Sequence, residues 1–202
     1  MKKMTTSIPI PIAEPHSATD ELAMRLALAQ AQLAWSAGEV PVGAVILRGG
    51  ELIASGYNQP ISTHDPTAHA EIVALRQAAR VLGNYRLPEC ELFVTLEPCA
   101  MCAMAMLHAR LKRVVFAALD PKTGVAGSVL NLFDLPTLNH HTCVQGGLLA
   151  EPAAQLLRDF FAERREAARE RRHAARAVDT LSLQPVPAAA QPAIDLLPDP
   201  LP

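Results

Sequence analysis

Two short motifs, each followed by a run of good helix formers, constrain the fold of this chain most. The first is His69-Ala70-Glu71, followed by residues 72–76, and the second is Pro98-Cys99-Ala100-Met101-Cys102, followed by residues 103–108. Both patterns predict that a helix begins at the motif. Free amides and the helix dipole at such N-termini favour negative charge, including that of cysteine thiolates. The fold must therefore present His, Glu and Cys side chains at two helix starts.

Three of these side chains are typical zinc ligands, and the fourth is a carboxylate. A structural zinc site normally has four protein ligands, whereas three ligands leave a position for a water that the metal acidifies. His69, Cys99 and Cys102 supply three ligands. Two thiolates cancel most of the zinc charge, so the water needs a neighbouring base, and Glu71 is the candidate catalytic residue. The sequence therefore predicts a catalytic Zn²⁺ site, with one ion per subunit.

Two other interpretations of the motifs remain open at this stage. A Cys-x-x-Cys pair in a cytosolic protein can act as a redox pair. A fourth ligand would close a structural zinc site, and the chain offers four further candidates: Cys90, Cys143, His108 and His64. The two motifs together, in this order and with Pro98 before the first cysteine, favour the hydrolytic zinc site, because they form the signature of zinc deaminases.

The first part of the chain predicts a helix and a β-hairpin. Apolar residues recur at helical spacing from about Asp20 to Ala37, at Leu22, Leu26, Ala29 and Leu33, and Asp20 or Thr19 is the expected cap. Residues 42–47 form a buried strand, Gly49-Gly50 a turn, and residues 51–57 an antiparallel second strand.

Further along, strands and helices alternate. We predict strands at 91–96 and 113–117, a weak strand at 142–145, and helices at 100–109 and about 152–177. This alternation is typical of α/β proteins. The expected fold class is α/β, a three-layer α/β/α sandwich with a mixed sheet of about five strands.

Composition predicts one domain with flexible ends. The chain has 202 residues, half of them apolar, which suffices for one core. Residues 1–18 form a proline-containing N-terminal arm, residues 19–178 the folded domain, and residues 179–202 a Pro/Ala-rich, disordered tail. We find neither a signal-peptide core nor a membrane span. Because two of the four cysteines are assigned to metal, a disulfide framework is not expected, and the cytoplasm is the predicted location.

Several sequence blocks carry a resemblance to a known family. They are Val40–Ala44, Asp65–Glu71, Asn84–Leu87, Leu96–Cys99, and Asp120–Gly124 with Gly127-Ser128. In these blocks the chain resembles the bacterial tRNA-specific adenosine deaminases of the cytidine deaminase superfamily, over about residues 20–165. The resemblance implies a homodimer with the cytidine-deaminase-like fold. It also implies hydrolysis of adenosine to inosine and ammonia at the wobble position of a tRNA anticodon stem-loop, usually in an arginine tRNA.

Two rival functions remain. A guanine deaminase, or another free-base or nucleotide deaminase of the superfamily, would share the same zinc ligands and Glu71. A zinc-stabilised RNA-binding module without catalysis is the second rival, but no structural role requires a carboxylate beside an open zinc site.

The resemblance also suggests substrate contacts. Asn58 is expected to hydrogen-bond the target nucleoside, although it is also a common turn residue. Asp120 is expected to accept a hydroxyl hydrogen bond, to start a turn, or both. Phe161 is expected to contact a splayed base, while Phe160 is core because neighbours on a helix cannot both face one partner. Arg164 is expected to lie near the anticodon loop.

His140 is the remaining predicted substrate contact, with an ordinary loop role as its alternative. The net charge of −2 does not by itself indicate RNA binding, but residues 158–176 contain seven arginines and four acidic residues. A solvated helix face would show the same pattern. Two residues depart from the family pattern: Leu119, where some relatives have a basic residue, and Met104, which replaces a common glycine and is a candidate for a dimer interface.

Overall fold

A computed structural model describes residues 16–182 of the protein, with side chains for residues 16–174. The predicted arm (1–18) and tail (179–202) lie outside these residues, apart from their inner ends. Ser17 caps the first helix and residues 179–182 continue the last one.

Five helices and five strands make up the described part of the chain. They are α1 (Ala18–Ser36), β1 (Gly43–Arg48), β2 (Glu51–Tyr57), α2 (Pro60–Thr63), α3 (Ala70–Leu82), β3 (Cys90–Leu96), α4 (Ala100–Ala109), β4 (Arg113–Ala118), β5 (Cys143–Gly146) and α5 (Ala150–Ser182). The predicted elements are confirmed, with shifts of a few residues at their ends. The short helix α2 was not predicted; the buried Glu39 carboxylate accepts hydrogen bonds from the Ile61 and Ser62 amides near its start.

The strands form one sheet in the order β2-β1-β3-β4-β5. β1 is antiparallel to both β2 and β3, whereas β3, β4 and β5 are parallel. The prediction of a mixed sheet of about five strands is therefore confirmed. Parallel β3 and β4 bring the loops after these strands to one edge of the sheet, where the segments that begin at Glu97 and Leu119 meet.

Alternating side chains divide the core between the two faces of the sheet. Ala44 and Ile46 of β1 contribute to the cluster that α3 and α4 cover. Val45 and Leu47 contribute to the other cluster, which α1 and the start of α5 cover. This arrangement is the predicted three-layer α/β/α sandwich.

The prediction for α1 was wrong in two details. Its cap is Ser17, whose hydroxyl accepts from the Asp20 amide, while the Asp20 carboxylate accepts from the Ser17 amide in a capping box. The predicted apolar stripe is largely exposed: Leu22 is 61% and Leu33 50% exposed.

Small residues form the buried face of α1 instead, because the helix approaches β1 closely. They are Ala23, Ala27, Ala31 and Ala34, together with Met24. A Cβ added to Gly43 would lie 2.1 Å from the Ala27 carbonyl oxygen. Leucine side chains do not fit at this separation, so they point outward.

A buried ion pair joins α1 to the sheet. The Arg113 guanidinium on β4 donates to both oxygens of Asp20, each at 2.8 Å, and to Glu91 on β3 at 2.8 Å. The hydrogen bond to Arg113 is the main cause that lowers the pKa of Asp20 to about 2.

The chain divides into two compact units at Ala162/Glu163, and the first contains the sheet and all elements from α1 to the start of α5. The second unit begins within α5. No helix in the described part is long and apolar enough to span a membrane.

Candidate active site

The three predicted ligands meet at the N-termini of α3 and α4. His69 is the N-cap of α3 and Cys99 the N-cap of α4, both with extended backbone, and Cys102 lies in the first turn of α4. The His69 Nδ1 atom lies 3.8 Å from the Cys99 Sγ atom and 3.6 Å from the Cys102 Sγ atom. The fold therefore brings together residues that are about thirty positions apart in the sequence.

This geometry fits a zinc ion. Zn–S bonds of ~2.3 Å and Zn–N bonds of ~2.1 Å at a tetrahedral angle place S and N about 3.6 Å apart. The three ligand atoms lie within 4.8 Å of one another. Among the described residues, no fourth His, Cys, Asp or Glu belongs to this cluster. Cys90, Cys143, His108 and His64 thus do not close the site, which supports the three-ligand type of centre that catalytic zinc uses.

The two thiols differ in their readiness to ionise. Hydrogen bonds from Cys102 and His69 lower the pKa of Cys99 to about 4. The adjacent Cys99 and burial raise the pKa of Cys102 above its ordinary value. Proximity to Cys99 also raises the pKa of His69. A metal cation at the centre of the three atoms would favour both thiolates and neutral imidazole, because only these forms bind metal.

Glu71 is the fully buried carboxyl group beside the ligands. It is the second residue of α3, only 4% exposed, and its carboxyl interacts with the Cys102 thiol. Burial raises the pKa of Glu71, with a smaller opposing effect from the nearby His69. A buried carboxyl group in such a position is suited to act as a general base and then as a general acid.

A close approach between β2 and α3 determines where Glu71 lies. A Cβ atom added to Gly56 would lie 2.5 Å from the Ala70 carbonyl oxygen and 2.7 Å from the Ala74 amide nitrogen. Ala70 and Ala74 are completely buried. Glycine on the strand and alanine on the helix therefore hold the first turn of α3 against the sheet.

Asn58 connects this turn to the segment before β1. Its side-chain oxygen accepts from the Ala70 amide at 2.9 Å, and its amide nitrogen donates to the Val40 carbonyl at 3.2 Å. Asn58 is 9% exposed. It thus satisfies one of the free amides at the start of α3 and holds the helix N-terminus in position.

Asp120 has the turn role that the sequence predicted as one of two. One carboxylate oxygen accepts from the Lys122 and Thr123 amides, and the other from the Thr123 hydroxyl at 2.7 Å. Burial is the largest single effect on the pKa of Asp120 and raises it, but the hydrogen bonds and the nearby Lys122 charge together outweigh burial, so the pKa is lowered.

Glu97 is a site residue that the sequence reasoning missed. It directly precedes Pro98-Cys99 and is 2% exposed, and its carboxylate accepts from the amides of Asp120, Ala126 and Ser128 and from the Ser128 hydroxyl. Burial is the largest single effect on the pKa of Glu97 and raises it, but the four hydrogen bonds together outweigh burial, so the pKa is lowered. Glu97 thereby fastens the 120–128 loop to the segment that carries Cys99. A charged residue between the end of β3 and Pro98-Cys99 was the available signal.

The same loop contacts the metal-ligand segment directly. The Val125 amide donates to the Pro98 carbonyl at 3.0 Å, and Gly124 forms a β-bridge with Cys99. A Cβ on Gly124 would lie 2.4 Å from the Glu97 carboxyl group, so only glycine fits there.

The other predicted contacts lie further along the chain. Phe160 is buried and packs edge-on against Trp35, as expected, whereas Phe161 is 45% exposed. Arg164 belongs to the second unit, on α5. The His140 Nε2 atom donates to the Leu111 carbonyl at 3.0 Å, which places His140 beyond the C-terminal end of α4.

Comparisons with known proteins agree with this site. Residues 17–118 match the family model for the zinc-binding region of cytidine and deoxycytidylate deaminases. The chain is 50% identical over 155 residues to the tRNA-specific adenosine deaminase of Haemophilus influenzae, covering 76% of this chain and 90% of that protein. It is 46% identical over 141 residues to the tRNA-specific adenosine deaminase of Aquifex aeolicus, covering 70% and 93%.

Solved structures give the same assignment. A structure from studies of A-to-I editing by tRNA:A34 deaminases at the wobble position of transfer RNA superimposes with a TM-score of 0.66 and 43% identity, covering 67% of this chain and 99% of that one. Guanine deaminase from Nitrosomonas europaea is more distant, with a TM-score of 0.60 and 27% identity over 70% of this chain and 84% of that one. The chain therefore belongs to the zinc-binding cytidine and deoxycytidylate deaminase family, in its branch of tRNA-specific adenosine deaminases.

Proposed function

We propose that this protein hydrolyses adenosine to inosine, with release of ammonia, at the wobble position of a tRNA anticodon. The observation that carries this proposal is the three-ligand cluster of His69, Cys99 and Cys102 with the buried Glu71 beside it. Five relatives that are 41–50% identical to this chain, and that match over at least 90% of their own length, are tRNA-specific adenosine deaminases. This similarity supports adenosine in tRNA as the substrate.

The chemistry needs a metal and a proton carrier. When bound, zinc supplies a Lewis acid that makes a water molecule acidic near neutral pH. Glu71 accepts a proton from the attacking water, delivers it to the purine ring nitrogen next to C6, and then assists protonation of the departing amine. One water is consumed and one ammonia released per adenosine. Burial raises the pKa of Glu71, and a higher pKa makes the carboxylate a stronger base toward the attacking water.

Asn58 and Asp120 are the proposed contacts to the target nucleoside. Asn58 uses one amide hydrogen for the Val40 carbonyl, and its second amide hydrogen is available to a substrate acceptor. Asp120 holds its turn through both carboxylate oxygens, which retain acceptor capacity for a sugar hydroxyl. Structural and substrate roles are thus compatible in both residues.

Phe161, Arg164 and His140 are the proposed contacts to the rest of the anticodon loop. Phe161 presents an exposed aromatic ring on which an unpaired base can stack. The expected substrate is an arginine tRNA, and the expected compartment is the cytoplasm.

The face of α3 and α4 is the proposed subunit interface of a homodimer. A groove of about 440 Å³ lies there, lined mainly by apolar side chains that include Ile72, Leu75, Met101 and Ala105. Contiguous apolar surface of this kind marks interaction sites. A charged Ala105→Glu substitution in the groove should convert the dimer to a monomer in sedimentation velocity, and an unchanged dimer would place the interface elsewhere.

The rival activity is deamination of guanine, since a guanine deaminase shares the fold at 27% identity. The decisive experiment supplies the purified zinc-loaded protein with three substrates in parallel. These are a synthetic anticodon stem-loop with adenosine at the wobble position, free guanine and free cytidine. Inosine from the stem-loop alone supports the proposed function. Ammonia from guanine or cytidine, with the RNA unchanged, would overturn the assignment to tRNA.

A stem-loop with adenosine moved one position along the loop is the matched control. An editing enzyme of the proposed specificity leaves this RNA unchanged. Equal inosine formation from both RNAs would contradict specificity for the wobble position.

A further inference from the structure

A second pocket, with both polar and apolar walls, lies at the C-terminal end of α4, opposite the end that carries the metal ligands. Its volume is about 200 Å³, and three segments of the chain line it. These contribute Tyr85 and Arg86, then His108 and Arg110, and finally Asn139 and His140. No role in the metal chemistry described above involves this pocket.

Hydrogen bonds hold the walls of the pocket in place. The Leu87 amide donates to the Ala109 carbonyl at 2.6 Å, which fixes the segment that carries Arg86. His140 and Thr142 both donate to the Leu111 carbonyl at 3.0 Å, which fixes the third segment. The pocket is therefore preformed.

The pocket concentrates positive charge that no acidic residue of its own lining balances. No Asp or Glu lines it, and among the side chains that the structure describes, Arg86 and Arg110 form no ion pair. By contrast, Arg25, Arg76, Arg113 and Arg158 each pair with a carboxylate. Among the same described side chains, Arg48 and Arg80 also form no ion pair, but they lie outside this pocket, which brings two such arginines together.

The donors in the pocket suit a phosphate group. Arginine presents a planar set of N–H donors that binds phosphate oxygens through paired hydrogen bonds. The Arg86 guanidinium lies 5.2 Å from the centre of the Tyr85 ring, a contact that restricts its orientation. Asn139 adds a neutral amide donor.

The distance from the metal centre excludes contact with the reacting base. A helix rises about 1.5 Å per residue, so Arg110 lies about 12 Å along the α4 axis from Cys102. A group bound there would be a flanking part of the same RNA.

We propose that this pocket is a phosphate subsite that binds a backbone phosphodiester of the substrate RNA, at a nucleotide flanking the target adenosine. The inference rests on the proposed tRNA substrate and assigns His140 to backbone binding. It also explains how a chain with negative net charge holds a polyanion, since phosphate contacts supply sequence-independent affinity.

The test measures binding of the anticodon stem-loop to the zinc-loaded protein across a series of salt concentrations. The Arg86→Gln/Arg110→Gln double variant should bind at least tenfold more weakly at low salt. The slope of log K against log salt should become shallower by about 1 or more, because fewer counterions are released. The loss of affinity should also appear as a higher KM for the stem-loop, because the proposed contact contributes to substrate binding.

The matched control is Arg25→Gln/Arg80→Gln, which removes the same charge from α1 and α3 outside the pocket. It should leave the affinity and the salt slope near wild-type values. A second variant, Arg86→Lys/Arg110→Lys, keeps the charge and should restore the salt slope, while losing the paired hydrogen bonds.

Chemical removal of single phosphate charges locates the contact. In stem-loops carrying one neutral methylphosphonate each, one position should weaken binding to the wild type but not to the Arg86→Gln/Arg110→Gln variant. The proposal would be overturned if the Arg86→Gln/Arg110→Gln variant and the Arg25→Gln/Arg80→Gln control had equal slopes of log K against log salt. A sedimentation coefficient of the Arg86→Gln/Arg110→Gln variant that differs from that of the wild type would also overturn the proposal, because the pocket would then belong to a contact between subunits. Failure of the proposed function is a separate result: the wild type would then form no inosine from the stem-loop.

Discussion

At the residue scale, the four cysteines show how position determines chemistry. Cys99 and Cys102 lie at the N-terminus of α4 beside His69. Cys90 is buried at the start of β3, where burial raises the pKa of its thiol, and Cys143 is exposed on β5. Only Cys99 and Cys102 lie next to a third ligand, His69. Two of the four cysteines can therefore bind the metal, and Cys90 and Cys143 cannot.

Replacing Cys99 should abolish metal binding. Cys99→Ala leaves only two protein ligands, so we expect loss of zinc together with loss of deamination. Elemental analysis of the purified protein measures the metal content. Cys143→Ala is the matched control, since this exposed cysteine is outside the cluster, and it should retain one zinc per subunit. Full zinc occupancy in Cys99→Ala would contradict the ligand assignment.

Replacing Glu71 should separate metal binding from catalysis. Glu71→Gln keeps the shape of the side chain but cannot carry the proton, so deamination should fall by about 10²–10⁴-fold. Zinc content should stay at the wild-type level. The exposed Glu89→Gln substitution should leave the rate of inosine formation unchanged. Wild-type turnover in Glu71→Gln would eliminate Glu71 as the proton carrier.

At the scale of elements, glycine and alanine set the separation of helix and sheet. Gly56→Ala should push the first turn of α3 away from β2, because the added Cβ meets the Ala70 carbonyl oxygen at 2.5 Å. Overpacking of this kind costs about 1–3 kcal/mol of unfolding free energy. Urea denaturation measures this cost, and deamination should fall as Glu71 shifts. Ser55→Ala on the same strand is the control, and equal stability of the two variants would refute the close approach.

The loop after β4 depends on one buried carboxylate. In Glu97→Gln, an amide group replaces an acceptor oxygen, so at least one of the loop amides loses its partner, at a cost of about 1–3 kcal/mol. Hydrogen exchange at the Ala126 and Ser128 amides should accelerate. The exposed Asp134→Asn substitution in the next turn should leave this exchange slow. Unchanged protection in Glu97→Gln would show that backbone contacts alone hold the loop.

At the scale of the whole molecule, the Asp20–Arg113 pair links the first helix to the start of β4 in the sheet. Its hydrogen bonds lower the pKa of Asp20 to about 2 from an ordinary value of 3.8. A depressed carboxyl pKa stabilises the fold above pH 4, and this contribution disappears as the pH falls from about 4 to 2. The shift corresponds to about 2 kcal/mol at neutral pH.

Asp20→Asn should therefore lower the free energy of unfolding by about 2 kcal/mol or more at pH 7. The difference from wild type should shrink as the pH approaches 2, where Asp20 itself becomes protonated. Denaturation of both proteins at a series of pH values measures this difference, and both lose zinc in acid. Glu21→Gln removes a neighbouring carboxylate that forms only an exposed ion pair with Arg25, so it should have little effect. A difference independent of pH would contradict the linkage.

Local patterns in the sequence determined the elements and the metal ligands. Hydrophobic periodicity, the Gly49-Gly50 turn and helix formers after each motif predict secondary structure, because these signals act over a few residues. The ligand set follows from the types and spacing of His69, Cys99 and Cys102, and Glu71 follows from the need for a base beside an open site. The resemblance to a family supplied the substrate.

Only the tertiary structure decided which face of each helix is buried and which residues, distant in the sequence, contact one another. The leucines of α1 point outward because α1 lies too close to Gly43 for large side chains. The partners of Glu97 lie 23 to 31 residues away. The arginine pocket likewise combines three separate segments around the end of α4. Contacts of this kind depend on how close elements pack, and a local sequence pattern carries no information about that distance.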